Sequence, residues 1–457
     1  MGILDDTTLT IFCLSVMVLS NGWHLLTSRP LTTPANILLS WVGLFFGLAP
    51  YFELYHYYKA DSYYLAIYGG VLGLITGAII FPKYAFSTVI QPPPGAPDML
   101  PSFRVQRILL ILICYYLVYA AGNVWRAGSF NISQLYLFDP YVGLDMTDNW
   151  TRLTKLTRPI AEATLFILVG IILWSRAKTR LVWIVATCGV FVLANLTAYG
   201  GRQGIILLPV VVALLACWRW PRAEKTIIIC AVGAAFVGMT FLQLVRHQKL
   251  DTLLHDPVDA LLSSTGSGGE WNSVGTLADL VHYADTQPVT FWGRVELTGV
   301  EIRNWSINWV PRAFWPSKPS DTSFSPRMTM VLYADRMAME TWVRTFTFIG
   351  QGYFLFGVSG AFGIGVLYGV SLLLLFGWLR HRVEFYGICA ALLYKALIAS
   401  RNDFGSWIFQ ALSLVVVALI AFWLMRLGLS KTPALTPDSP DAGPVRQFNK
   451  PPQHARR

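Results

Sequence analysis

Apolar runs of about twenty residues return along this chain from Leu9 to about residue 425, and that recurrence limits the fold more than any single motif does. A helix that crosses the hydrocarbon core of a bilayer needs ~20 consecutive, mostly apolar residues. With 54% hydrophobic and only 13% charged residues over 457 positions, the chain carries more apolar surface than a soluble core hides. The expectation is an all-α, polytopic membrane protein with about eleven transmembrane helices and one large loop. Spans are expected near residues 8–26, 36–52, 62–81, 108–125, 159–175, 181–199, 203–218, 226–245, 354–379, 384–400 and 406–425. The chain then divides into a membrane region of about eight spans over 1–245, a loop over 246–344, a membrane region of about three spans over 345–426, and a tail over 427–457. The first run follows Asp5 and Asp6 and lacks a small-residue cleavage site; it reads as a retained helix or an uncleaved signal anchor.

Charge sets the direction of threading. With the large loop placed outward, the inward segments hold eighteen lysines and arginines and the short outward segments seven, the bias that orients multi-pass proteins. The net charge of +10 therefore sits mostly at helix ends, where orientation accounts for it, and nucleic acid is not an expected partner. The tail, punctuated by Pro433, Pro437, Pro440 and Pro444, lacks apolar periodicity and is expected to be a disordered basic end near anionic lipid. All six cysteines lie in apolar runs, which offers neither a disulfide framework nor a zinc site.

Polar residues kept at the outer membrane face carry the chemical information. Tyr199-Gly200-Gly201-Arg202-Gln203-Gly204 is a short turn that puts Arg202 at the rim, either to grip a phosphate with its planar donors or to snorkel to headgroups. In the stretch Asn308 to Pro319, three prolines fix an extended display of Arg312 and Lys318 beside Trp309 and Trp315; two neighbouring cations suit a pyrophosphate, and the same residues suit an interfacial anchor. Gly350 to Gly360 opens the ninth span with glycines that permit close packing or a re-entrant bend. Ser400-Arg401-Asn402-Asp403 sets an arginine and a carboxylate two residues apart: Arg401 for phosphate with Asp403 taking a proton, or the two as a local ion pair. His247, His255, His282, Glu296, Glu301 and Glu340 fall in the loop, and Glu162 and Lys395 inside spans. Lys395 is expected to face a polar interior cavity. No phosphate-binding glycine loop, His-Glu-His zinc pattern or nucleophilic serine elbow is present in the sequence.

Together these residues resemble the bacterial oligosaccharide repeat-unit polymerases, the Wzy-type polymerases of O-antigen and exopolysaccharide assembly. The similarity lies in the helix count with one large loop, the glycine-arginine turn at Gly200 to Gly204, Pro-Arg-x-x-Trp-Pro-x-Lys-Pro from Pro311 to Pro319, Gly-x-x-Tyr-x-x-Phe-Gly-x-x-Gly from Gly350 to Gly360, and Arg401 to Asp403. It covers roughly residues 190 to 410. Gln351 departs from it, standing where many relatives carry an acid.

The resemblance implies a glycosyltransferase of the bacterial inner membrane, with a periplasmic loop and a cytoplasmic tail. Its substrate would be an undecaprenyl-pyrophosphate-linked oligosaccharide, joined to an incoming repeat unit in one metal-independent step without a cofactor. A chain-length regulator is the partner such a family implies, beside membrane lipid. By the same resemblance Arg202, Arg312, Lys318 and Arg401 are expected to hold pyrophosphate, with Lys395 nearby. Asp403 is the first candidate base, and His247, Glu296 and Glu340 are the reserves. Trp305, Trp309 and Trp315 line a glycan path or form an interfacial belt. Two rivals share much of this pattern: an O-antigen ligase, which moves finished glycan to a lipid acceptor, and a transporter or flippase, which calls for two similar halves around a midplane site.

Overall fold

The computed structural model describes residues 4–52, 61–89, 102–128, 149–175, 179–197, 202–246, 272–287, 290–308, 324–333, 345–400 and 402–429. Among them the chain is helical throughout, without a strand. In order the helices are α1 (Asp6–Leu26), α2 (Pro34–Phe52), α3 (Asp61–Ile80), a short α4 (Pro82–Ala85), α5 (Ser102–Ala127), α6 (Asn149–Trp174), α7 (Arg180–Leu196), α8 (Arg202–Arg219) and α9 (Glu224–Arg246). Then follow α10 (Asn272–Thr286), α11 (Phe291–Asn308), α12 (Phe324–Leu332), α13 (Phe348–Leu379), α14 (Tyr386–Ala399) and α15 (Phe404–Leu429). Each apolar run expected to span falls on one of these helices.

Among the described residues, six helices are long and apolar enough to cross a membrane: α1, α3, α5 from Val105, α6 from Thr157, α13 and α15. The apolar parts of α8 and α9 form a further candidate as a pair bent by 115°, and α2 and α7 contribute shorter apolar stretches. The protein is a multi-pass, all-α membrane protein.

Local chemistry sets where these helices start. Asp5 and Thr8 form a reciprocal capping box at the head of α1, with Asp5 Oδ1 accepting from Thr8 N at 2.7 Å and Thr8 Oγ1 accepting from Asp5 N at 3.0 Å. Thr347 caps α13 by accepting the Gly350 N–H at 3.1 Å.

Glycines let the helices approach. A Cβ at Gly73 would lie 2.2 Å from the Phe362 carbonyl, one at Gly365 2.3 Å from the Gly70 carbonyl, and those at Gly69 and Gly77 would meet Val358 O and Val366 O at 3.1 and 3.2 Å. The partner numbers rise together, so α3 and α13 run parallel. By contrast α1 and α2 are antiparallel: Thr10 Oγ1 reaches Gly47 O at 2.9 Å while Ser20 Oγ reaches Asn36 Oδ1 at 2.7 Å. The apolar pattern starts the ninth span at residue 354; α13 instead begins at Phe348 and breaks at Phe356 and Gly357, where Gly357 takes φ 64°, ψ −148°. Across the break Gly352 and Gly360 nearly touch, a Cβ on either lying within 2.5 Å of the other's carbonyl oxygen. The motif therefore serves both bend and packing.

The described residues between α9 and α13 form helices α10, α11 and α12. Thr276 of α10 donates to Thr345 O at 2.8 Å, and Asp285 accepts Tyr353 OH of α13 at 2.6 Å and Ser62 Oγ of α3 at 2.5 Å. Helix α12 packs Phe324 and Met328 with Leu280 and Phe346. At the opposite end of the bundle, buried Glu224 accepts Thr32 N at 2.9 Å and Leu31 N at 3.0 Å, and Arg380 lies over the Tyr84 ring at 5.2 Å.

Candidate functional site

The site grows from the turn between α14 and α15. Where α14 ends, the Ser400 hydroxyl folds back to Leu397 O at 2.7 Å and accepts the Trp41 indole N–H at 3.1 Å. Asp403 then caps α15: its Oδ1 accepts the Ser406 N–H at 2.8 Å and its Oδ2 accepts the Ser406 hydroxyl at 3.0 Å. A third donor comes from far along the chain, the Ser325 hydroxyl of α12, 3.0 Å from Asp403 Oδ2. The carboxylate is 2% exposed, so capping and burial are both part of what holds it.

A second strand of bonds ties the same turn to α11 and α13. Gln351, fully buried, accepts the Phe404 N–H at 2.8 Å and donates its amide to Glu301 Oε2 at 3.2 Å. The other oxygen of Glu301 pairs with the Arg327 guanidinium of α12. Burial pushes Arg327 below its ordinary pKa, and the nearby Asp403 charge opposes that by favouring the guanidinium. Trp305 packs edge-on against Phe404 with centroids 5.5 Å apart, and a Cβ on Gly405 would fall 2.2 Å from its indole nitrogen. Helices α11 and α12 are thus tied to α13 and to the turn that opens α15. Two carboxylates and one arginine leave the described part of the site with one excess negative charge.

Of the residues singled out in the sequence, Asp403 is in this cluster and Trp305 borders it. Glu296 is exposed on α11, five positions from Glu301 and so turned well away from it around the helix. Lys395 lies on α14 in a separate polar cluster with Glu162 and Arg158. Arg202 opens α8, and its side chain falls outside the described residues. So do Arg312, Lys318, Arg401, Trp309, Trp315, His247, His255 and Glu340. The sequence reading misses Arg327, Ser325 and the bridging role of Gln351. The signal for α12 is slight: Phe324 and Met328, four apart, mark a buried face with Ser325 and Arg327 at its edge.

An apolar groove runs along α1, α2, α8, α9 and α14, with a volume of about 480 Å³. Asn21, Asn36 and Ser40 form a hydrogen-bonded patch in it. Trp41, Leu397 and Ile398 line the portion that reaches the Ser400 turn. Comparison with protein-family models, curated proteins and solved structures found no match.

Proposed function

We propose that this chain is a bacterial polysaccharide polymerase that joins undecaprenyl-pyrophosphate-linked oligosaccharide repeat units at the periplasmic face of the inner membrane. The observation that carries the reading is the seating of Asp403: a buried carboxylate held by the cap of α15 and by α12 at once, with Trp41 and Leu397 of the apolar groove bonded to the neighbouring Ser400. A glycan donor on a lipid carrier calls for polar groups to meet its sugar and pyrophosphate and, beside them, a hydrocarbon slot for its chain.

In the proposed reaction a sugar hydroxyl of the incoming unit attacks the anomeric carbon of the growing glycan. The new C–O bond forms as the bond from that carbon to the pyrophosphate oxygen breaks, and the lipid pyrophosphate departs with the electron pair. The hydroxyl proton passes to a carboxylate or histidine. Asp403 is the leading acceptor; its Ser325 bond must give way first, because all three donors compete with the substrate proton. Arg312, Lys318 and Arg401 are assigned to the charge that develops on the leaving group, and the Gln351 bridge to holding the Asp403 turn in register. Trp309 and Trp315 are assigned to the glycan path. The polymer would pass to a chain-length regulator as partner.

The test is direct. Purified protein in lipid nanodiscs, supplied with a polyprenyl-pyrophosphate-linked oligosaccharide, should release polyprenyl pyrophosphate and build a ladder of glycans on a gel. Asp403→Asn should shorten or abolish that ladder while the protein still melts cooperatively. A folded wild-type protein that makes no glycosidic bond overturns the reading, and a single transfer to a lipid acceptor without a ladder points to a ligase.

A further inference from the structure

Arg158 and Glu162 on α6, Asn195 on α7, Tyr119 on α5 and Lys395 on α14 meet within the helical bundle. Arg158 Nε donates to Glu162 Oε1 at 2.8 Å, Nη1 to the Tyr119 hydroxyl at 3.3 Å and Nη2 to Asn195 Oδ1 at 2.8 Å. Asn195 is locked in turn, its amide donating to Phe191 O at 2.8 Å. Lys395 lies within electrostatic reach of Glu162 and Arg158, and among the described residues no hydrogen bond reaches its ammonium. A Cβ on Gly204 would sit 2.2 Å from Asn195 Oδ1 and 3.5 Å from Arg158 Nη2. The first turn of α8, with the positive end of its dipole, therefore abuts the cluster.

The charges do not balance. Two cations and a helix N-terminus face one carboxylate, and an ionic excess inside a bundle of membrane helices is costly unless something neutralises it. The donors do not balance either: a guanidinium has five N–H groups and an ammonium three, while only the three Arg158 bonds above are made. The cluster is also reachable, with 31% of the Arg158 side chain and 18% of Glu162 accessible.

We propose that Arg158, Lys395 and the first turn of α8 form a binding site for a phosphate-bearing anion, separate from the Asp403 site. Glu162, Tyr119 and Asn195 hold the Arg158 fork in place, and the remaining Arg158 N–H groups and the Lys395 ammonium grip the phosphate oxygens. The site is distinct from the apolar groove as well: Gly204 and Ile206 are two residues apart on α8, so the faces they present are roughly 200° apart, and Ile206 is the one that lines the groove. Lys395 stands five positions before Ser400, about 7.5 Å along the α14 axis.

The experiment uses the full chain in phosphatidylcholine nanodiscs, titrated by calorimetry with inorganic phosphate in one arm and dihexanoyl phosphatidic acid in the other. Wild type should bind. K395Q should weaken binding by about tenfold and K395R by less than about threefold, while R382Q, an exposed cation at the opposite end of the bundle, should leave it unchanged. Binding of phosphatidic acid alone makes the ligand a lipid headgroup, and binding of both makes it phosphate itself; each supports the site. If K395Q does not fold, R158K keeps the charge but loses the fork and should weaken binding by about fivefold. A folded wild type that binds neither probe overturns the proposal, as does K395Q, or in its place R158K, binding as tightly as wild type. That outcome would leave a plain Lys395–Glu162–Arg158 ion network. Neither arm reads glycan synthesis, so the result is independent of the transferase assignment.

Discussion

Gln351 accepts the backbone N–H of Phe404 at 2.8 Å and, through its own amide, donates to Glu301. One neutral side chain thus satisfies an acceptor on α11 and a donor in the Asp403 turn, a task an acid cannot perform because it donates nothing when ionised. Gln351→Glu would set two carboxylates against each other where an amide now bridges. The expected loss is about 1–3 kcal/mol, read as a lower melting temperature in detergent. A Gln351→Glu variant that melts like wild type counts against the contact.

The Arg327 and Glu301 pair makes a second prediction. Glu301 is 3% exposed, so removing its cation strands a buried charge. Arg327→Met should destabilise on the order of 3 kcal/mol, whereas Arg327→Met combined with Glu301→Gln should recover much of that. Equal stability of the single and double variants in chemical denaturation would show that the pair is not coupled.

Backbone geometry at the break in α13 is equally testable. Gly357 takes φ 64°, ψ −148°, a region essentially closed to residues with a Cβ, so Gly357→Ala should cost about 1–3 kcal/mol. Gly363 on the same helix meets nothing within 4 Å, and Gly363→Ala should be neutral or stabilising by up to about 1 kcal/mol. Thermal melts of the two variants side by side should separate them.

Packing of α3 on α13 is the fourth case. Gly73→Ala drives a methyl group into the Phe362 carbonyl region, 2.2 Å away, and the parallel helices must separate. A loss of about 1–3 kcal/mol is expected, seen as reduced yield of folded protein in membranes. Gly233→Ala, in open space on α9, serves as the control and should express like wild type.

The helices are legible in the sequence because their signal is local. Runs such as Ile11 to Leu26 or Leu414 to Met425 state their membrane solvent residue by residue, and Asp5 with Thr8 announces a helix start within four positions. The glycines from Gly350 to Gly360 announce a special backbone, though not whether it packs or bends; the structure shows both. Asp403 is legible as a polar residue kept at a rim. Its capping of α15 follows from Ser406 three positions on, a relation that the sequence also contains.

What the sequence determined alone was the class of protein and the placement of its apolar helices, since hydrophobic length and capping act over a few residues. Tertiary structure decided that Ser325, Glu301, Arg327 and Gln351 would gather at Asp403, and that Lys395 would stand with Arg158 and Glu162 instead. Those partners lie fifty or more positions apart in most of the bonds concerned. No periodicity reports such meetings: they are chosen by how α11 and α12 seat on the bundle, where a buried polar group must find a donor or acceptor wherever the fold brings one.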